Sequence, residues 1–261
     1  MLPGPPRECV TMLRNYVMPY LQKLSGAVIR SHMIRFFGIG ESAVDDIFAG
    51  EMNAMTNPSM APYAKECDCL LQITAKAKSV DEVEKMIAPV MEHVIKRLGD
   101  VVYGVDVECI EESVIKLLRE KNMTFSAAES CTGGELAKRF TDMPGASAFF
   151  KGGVVTYTNE AKAKLLGIDP ALIEEKGAVS HEVAKAMAEN VRALLGTDIG
   201  VGVTGLAGPD GDGVHEVGTV FVSLVKELHM GAMRTRSFIR RMAGNHIYDM
   251  MRRWLSGIDV M

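Results

Sequence analysis

The sequence predicts an α/β protein in two parts: a C-terminal α/β sandwich domain preceded by a smaller α+β domain. Three observations predict it. From Ile110 onward, apolar strand-like runs alternate with segments of helical periodicity, as in sheets covered by helices. Two of those runs end in glycine-rich turns, Gly133-Gly134 and Gly205-Leu206-Ala207-Gly208. Before Gly104 the pattern differs, with three strand-like runs mixed with two or three helices. The parts are residues 9–105 and 106–261, with Asp106–Glu108 as the boundary. Residues 1–8 read as the exit loop of something upstream.

A chain of 261 residues holds one large or two modest domains. Hydrophobic residues make up 48% and charged residues 24%, the balance of a soluble globular protein. A formal net charge of -4 is too mild to argue for a nucleic-acid or membrane-surface partner. No apolar run reaches the roughly 18 residues of a membrane span. The start, from Met1 to Glu8, has neither a basic nor an apolar signal region, so the protein reads as cytoplasmic. Five cysteines (Cys9, Cys67, Cys69, Cys109, Cys131) are odd in number and match no zinc spacing, which favours reduced thiols. Cys67 and Cys69 read as sharing one face of a strand. The eighteen methionines are adaptable filler.

In the first part, Val10 to Leu24 has helical spacing, and Val28 to Phe37 reads as a strand ending at Gly38-Ile39-Gly40. Ser42 caps a helix through Ile47. Thr56 to Pro62, with two prolines, is a loop, and Cys67 to Ala77 is a second strand. Ser79 with Glu82 forms a capping box for a helix reaching Leu98. Val101 to Tyr103 is a short last strand.

In the second part, a helix from Ile110 to Glu120 leads to a strand, Thr124 to Ala128, and a turn, Glu129-Ser130-Cys131-Thr132-Gly133-Gly134. Helices follow at Glu135–Phe140, up to Leu166, at Ser180–Leu195 and at His246–Leu255. Strands fall at Gly152–Thr158, Ile199–Val203, Val220–Val225 and Met233–Ile239. Ligands in such folds bind near strand C-terminal ends.

Three segments carry chemistry. A strand entering a tight glycine turn and then a helix exposes its apex, here Ser130, and leaves helix N–H groups for an anion. Ser130 is then a nucleophile, and Thr132, Gly133 and Gly134 hold a phosphate; the alternative is that Ser130 or Thr132 only caps the helix. In Val155-Thr156-Tyr157-Thr158-Asn159-Glu160-Ala161-Lys162, the lysine falls in the first turn of a helix. Its ammonium is disfavoured there, and further by burial, so a neutral amine can act as base to a serine; the alternative is a solvated lysine. Thr204-Gly205-Leu206-Ala207-Gly208-Pro209 lets backbone approach a ligand, or is only a turn. His215 beside Glu216 reads as a solvated loop pair and His181 as a first-turn residue. Asp45-Asp46 reads as an early-helix pair. Arg240-Arg241 and Arg252-Arg253 either reach a phosphate or are solvated.

Taken together and in this order, Ala128-Glu129-Ser130-Cys131-Thr132-Gly133-Gly134, Val155 to Lys162, Gly177-Ala178-Val179-Ser180 and Thr204 to Pro209 resemble the CinA family of competence/damage-inducible proteins. The likeness runs from about Ile110 to Val225. It implies a nicotinamide mononucleotide deamidase without metal or cofactor. Ser130 would attack the carboxamide, Lys162 would take its proton, and Tyr157 would assist. Backbone N–H groups at the Ser130 turn would hold the oxyanion, and the phosphate would meet Thr132, Gly133, Gly134, Thr204 and Gly205. The first part resembles the family's KH-like middle domain through Phe37-Gly38-Ile39-Gly40-Glu41-Ser42. Leu2 to Glu8 resembles the end of its molybdopterin-binding-type domain, whose pyrophosphatase activity is not carried over. One departure stands out. Gly244-Asn245-His246 occupies the place expected for the family's Gly-Asp-Arg stretch at the start of the closing helix, which leaves ligand contact to Arg240 or Arg241. The alternatives to an amidase are a catalytically weak nucleotide-binding module and nucleic-acid binding by the first part. Against the latter, Gly38-Ile39-Gly40 is not the Gly-x-x-Gly clamp. The family-level expectation for assembly is a homo-oligomer, a dimer pairing through the first part.

Overall fold

The computed structural model describes residues 2–65, 67–222, 226–229 and 233–259. They fall into two units that divide between Asp106 and Val107, except that residues 65 and 67 group with the second.

The first unit opens with α1 (Pro6–Met12), a π-wound segment (Leu13–Val17) and α2 (Met18–Ser25). Then come β1 (Val28–Phe36), α3 (Glu41–Ala54), β2 (Ser59–Lys65), β3 (Asp68–Ala77), α4 (Val80–Leu98) and β4 (Val102–Val105). The sheet order is β2-β3-β1-β4, and β1 runs antiparallel to β3 (Val28 opposite Ala77) and to β4. Alternate β1 and β3 residues, Ile34, Phe36, Leu71 and Ile73, pack against Val44 and Phe48 of α3 and Ile87 and Val94 of α4. Ser79 Oγ accepts the Glu82 amide at 3.2 Å, while the Glu82 carboxylate accepts from Lys78 N, one residue before the reciprocal capping position.

Four expectations for this unit change. Ser42 lies inside α3, whose N-cap is Gly40, and the helix continues past Ile47 because the Val44–Phe48 stripe stays buried. The expected loop at Thr56–Pro62 contains the start of β2. Pro62 is tolerated there because β2 is an edge strand, where a missing N–H breaks no ladder. Cys67 precedes β3 with φ 67, so it does not share a strand face with Cys69. The last strand begins at Val102 and runs to Val105.

The second unit contains α5 (Ile110–Lys121), β5 (Phe125–Glu129), α6 (Glu135–Thr141), β6 (Phe150–Val155), α7 (Asn159–Leu166), α8 (Pro170–Lys176), α9 (His181–Leu195), β7 (Ile199–Gly205), β8 (Thr219–Val222), β9 (Lys226–His229) and α10 (Arg236–Ser256). The sheet order is β6-β5-β7-β8-β9. β5 is parallel to both neighbours, and the β7–β8 and β8–β9 pairs are antiparallel. On one side of the sheet Ala128 joins Leu166, Ile173, Val183, Met187 and Val191 from α7, α8 and α9. On the other, Phe125 meets Phe140 of α6 edge-on at 4.6 Å, and Phe140 stacks on Tyr248 of α10 at 6.1 Å. Gly200 and Gly202 let α9 approach β7 so closely that a Cβ at Gly202 would stand 2.2 Å from Ala184 O.

Here too the structure revises details. Strand β6 ends at Val155 because Thr158 caps α7, its Oγ1 accepting Ala161 N at 3.2 Å. Helix α8 was not expected; Asp169 caps it and Pro170 starts it. The segment Met233–Ile239 does not form a strand. Thr235 accepts Phe238 N and starts α10 at Arg236, ten residues before the expected His246. Of the strand expected at Val220–Val225, residues 223–225 lie outside the described residues. His215 pairs with Asp212 (3.1 Å) and sets its ring edge-on to Phe221, rather than being a solvated partner of Glu216. Arg252 is buried and bonded to Asp249. No helix among the described residues is long and apolar enough to cross a membrane.

Candidate active site

Three parallel strands, β6, β5 and β7, deliver their C-terminal ends side by side, and the site forms there. The central strand β5 is buried throughout and feeds the turn at Ser130. The turn is tight: Ser130 N donates to Val203 O (3.0 Å), Gly133 N to Ser130 O (3.0 Å) and Glu135 N to Thr132 O (3.1 Å). Gly133 (φ 57) and Gly134 (φ 92) are left-handed, which is why two glycines stand there.

Glu129 alternates to the face carrying Phe125 and therefore points at α6. Its carboxylate, almost fully buried, accepts Gly134 N at 3.0 Å, Leu136 N at 3.1 Å and Ala137 N at 2.8 Å. The helix N-terminus that the sequence offered to a phosphate thus holds a carboxylate of the chain itself.

Lys162, in the first turn of α7, is 1% exposed. Its Nζ lies 3.1 Å from Ser130 Oγ and 3.0 Å from Thr156 O, donating to both when charged. Burial holds its pKa below 10.5, and only the neighbouring Cys131 pulls the other way. A neutral amine keeps one lone pair and two N–H bonds, so it can accept from the serine hydroxyl while still donating to Thr156 O. Cys131, beside the serine, is buried with its thiol pushed up to about 12, which keeps it protonated.

Tyr157 follows β6 and is 57% exposed. Its hydroxyl accepts from Arg236 Nη2 at 2.7 Å, and Arg236 Nη1 donates to Gly208 O at 2.9 Å. Ser130, Tyr157, Lys162, Thr204, Asp210 and Arg236 line one cleft of about 220 Å³. Thr204 Oγ1 donates to Ala178 O at 2.8 Å. Gly205 lies in the cleft, yet its lack of a side chain also serves packing: a Cβ there would stand 2.6 Å from Thr219 O of the antiparallel neighbour.

The structure thus brings Ser130, Tyr157, Lys162, Thr204 and Gly205 together. Thr132, Gly133 and Gly134 belong to the same turn but do not line the cleft, and Thr132 Oγ1 is buried and unpartnered among the described residues. Arg240 turns away from the cleft: its Nε and Nη2 donate to Thr132 O at 2.8 and 2.5 Å. Sequence reasoning missed Arg236 and Asp210. The signal for Arg236 was Thr235, an N-cap residue ahead of the helically spaced Ile239, Met242 and Ala243. Gly244 and Asn245 are buried in mid-α10, where a Cβ on Gly244 would meet Arg139 Nη1 at 2.8 Å. Arg234-Thr235-Arg236, not Gly244-Asn245-His246, is therefore the stretch that opens the closing helix, and it does carry an arginine.

This is an α/β sandwich with a serine–lysine pair at the carboxyl edge of its parallel strands. Residues 107–253 match the CinA C-terminal domain, and residues 31–104 match the KH domain of damage-inducible protein CinA. The chain belongs to the CinA family. It is 45% identical to a CinA-like protein of Desulfovibrio desulfuricans, over all of this chain and 63% of that one. It is also 45% identical to a putative competence-damage inducible protein of Clostridium perfringens, over 99% of this chain and 64% of the other. The chain therefore spans a little under two thirds of these relatives. Among solved structures, a CinA superfamily protein from Klebsiella pneumoniae is similar with a TM-score of 0.54 at 26% identity, covering 57% of this chain and 96% of that one. The competence/damage-inducible protein CihA from Agrobacterium tumefaciens gives 0.51 at 32%, covering 56% and 95%.

Proposed function

We propose that the second unit hydrolyses the carboxamide of nicotinamide mononucleotide to nicotinic acid mononucleotide and ammonia. One observation carries the reading: a buried lysine without a carboxylate partner among the described residues, its Nζ 3.1 Å from a serine hydroxyl. Neutral Lys162 takes the Ser130 proton as Oγ bonds to the carboxamide carbon. The main-chain amide of Cys131, which lines the cleft next to Ser130, is the donor we assign to the oxyanion. As the C–N bond breaks, the Lys162 ammonium returns the proton to nitrogen and ammonia leaves. Water, deprotonated by Lys162, then attacks the ester, and the proton passes back to Ser130 Oγ. Tyr157 orients the leaving nitrogen from the cleft side.

The amides of Gly134, Leu136 and Ala137 already bond Glu129, which argues for placing the phosphate elsewhere. Arg236 is the better partner. It faces the cleft, and its bonds to Tyr157 and Gly208 use two of five N–H donors.

The test is ammonia release from nicotinamide mononucleotide, nicotinamide riboside and free nicotinamide. The nucleotide should be the preferred substrate. Ser130→Ala should bind it and lose turnover; wild-type turnover in that variant rules out Ser130 as nucleophile.

A further inference from the structure

The nucleophile turn is gripped from two sides by residues that do not line the cleft. From within, Glu129 spans residues 134 to 137 with three carboxylate–amide bonds of 2.8 to 3.1 Å. From without, Arg240 of α10 places two N–H groups on Thr132 O. Its guanidinium lies against Gly133, where a Cβ would come within 3.1 Å of Nη2. The outer side of Arg240 opens on a separate depression of about 170 Å³, shared with Glu135, Ser237 and Arg241.

We propose that Glu129 and Arg240 are positioning residues that clamp the turn 130–134 and so hold Ser130 Oγ at Lys162 Nζ, with Arg240 acting on the turn and not on the substrate's phosphate.

The argument is mechanical. Ser130 N is tied to Val203 O of β7, which fixes only the near end of the turn. Two left-handed glycines follow, the most freely rotating residues available. Unless the far end is also fixed, the serine hydroxyl is free to drift from the amine. A misplacement of about 1 Å can lower a rate about a hundredfold. Glu129 supplies the anion that α6 favours at its N-terminus, and Arg240 supplies charge-assisted donors to a carbonyl. Arg236 and Arg240 lie four residues apart on α10, so one helix edge reaches Tyr157 with the first and the serine turn with the second.

The proposal rests on Ser130 being the nucleophile, and its test separates the two. Arg240→Lys, Arg240→Met and Glu129→Gln are compared with wild type in two assays. The first is ammonia release from nicotinamide mononucleotide and nicotinamide riboside. The second is labelling of Ser130 by phenylmethanesulfonyl fluoride, followed by mass spectrometry, which needs no substrate assignment. Arg240→Met should lower kcat about ten- to hundredfold with both substrates, leave KM within about twofold, and slow labelling by the same factor. Arg240→Lys should fall between. Because the Arg240 site opens to solvent, methylguanidinium should restore part of the labelling rate of Arg240→Ala. Glu129→Gln should lose at least as much as Arg240→Met; if it fails to fold, the Arg240 series decides. A rise in KM for the nucleotide alone, with kcat and labelling unchanged, makes Arg240 a phosphate contact and overturns the proposal. Wild-type kcat and labelling in every variant also overturn it. If wild type labels but releases no ammonia, only the substrate assignment fails. If Ser130 is inert to both, there is no reactivity for the clamp to set, and the proposal falls.

Discussion

Arg236 and Tyr157 meet at 2.7 Å, guanidinium N–H to phenol oxygen, across the mouth of a cleft that has Lys162 at its floor. The contact joins the first turn of α10 to the loop after β6, two segments 79 residues apart. If Arg236 binds phosphate, Arg236→Met raises KM for the nucleotide about ten- to hundredfold, the worth of one charge-assisted bond, and changes nicotinamide riboside much less. Equal effects on both substrates assign Arg236 to Tyr157 alone.

The proposed role of Lys162 predicts a pH limb. If the neutral amine is the base, kcat/KM should rise with pH, with slope one, and level off above an apparent pKa lower than 10.5, because burial disfavours the ammonium. Lys162→Arg should remove the limb and lower the rate about 10²–10⁴-fold. A profile flat from pH 6 to 10 in the wild type contradicts the assignment.

The same burial has a stability consequence of definite sign. A base whose folded pKa lies below its unfolded one binds more protons when unfolded, so stability rises with pH through the interval beneath 10.5 and is lowest below it. Lys162→Met removes that penalty, and thermal unfolding at pH 7 should shift upward by roughly 2–8 °C as activity is lost. A lower Tm in Lys162→Met shows that the hydrogen bonds to Ser130 and Thr156 outweigh the desolvation.

His32 behaves oppositely in the first unit. It lies between Asp106 Oδ2 (2.5 Å) and Glu84 Oε2 (3.0 Å), and the Asp106 contact leads in raising its pKa above 6.5. The stability it lends is fully present below pH 6.5 and is lost as pH rises through the folded pKa. Unfolding midpoints measured from pH 5.5 to 8.5 should fall across that range, and His32→Gln should flatten the trend. An unchanged slope in the variant disposes of the idea.

Gly202→Ala tests the packing under the site. The added Cβ would stand 2.2 Å from Ala184 O and 2.7 Å from Ala188 N, both backbone atoms of α9. Urea unfolding should show a loss of about 1–3 kcal/mol or more. Wild-type stability would mean that α9 can shift away from β7 at little cost.

Much of this was legible in the residues because the signals were local. Ser79 announced α4, and the run from Phe125 to Gly134 announced strand, turn and helix together. The serine–lysine pairing followed from the family likeness and from Lys162 falling at a helix start. What escaped depended on neighbours far along the chain. Pro62 argued for a loop until an edge position made it harmless. Asp169-Pro170 was a start signal for α8, but seven residues are too few to show periodicity. Met233 to Ile239 looked alternating, and reading it as a strand displaced the start of α10. That hid Arg236 and cast Arg240 as the ligand contact. Glu129 could not be recognised as the anion of α6 before the strand parity that aims it was known.

The pairing of β5 with both β6 and β7 makes Ser130, the proposed nucleophile, a reporter of assembly. Its amide is tied to Val203, and its partner amine to a carbonyl just beyond β6. The serine cannot become reactive until segments spread over residues 125–205 have docked in register. A fluorogenic serine reagent added during refolding would therefore time the closure of the sheet's centre.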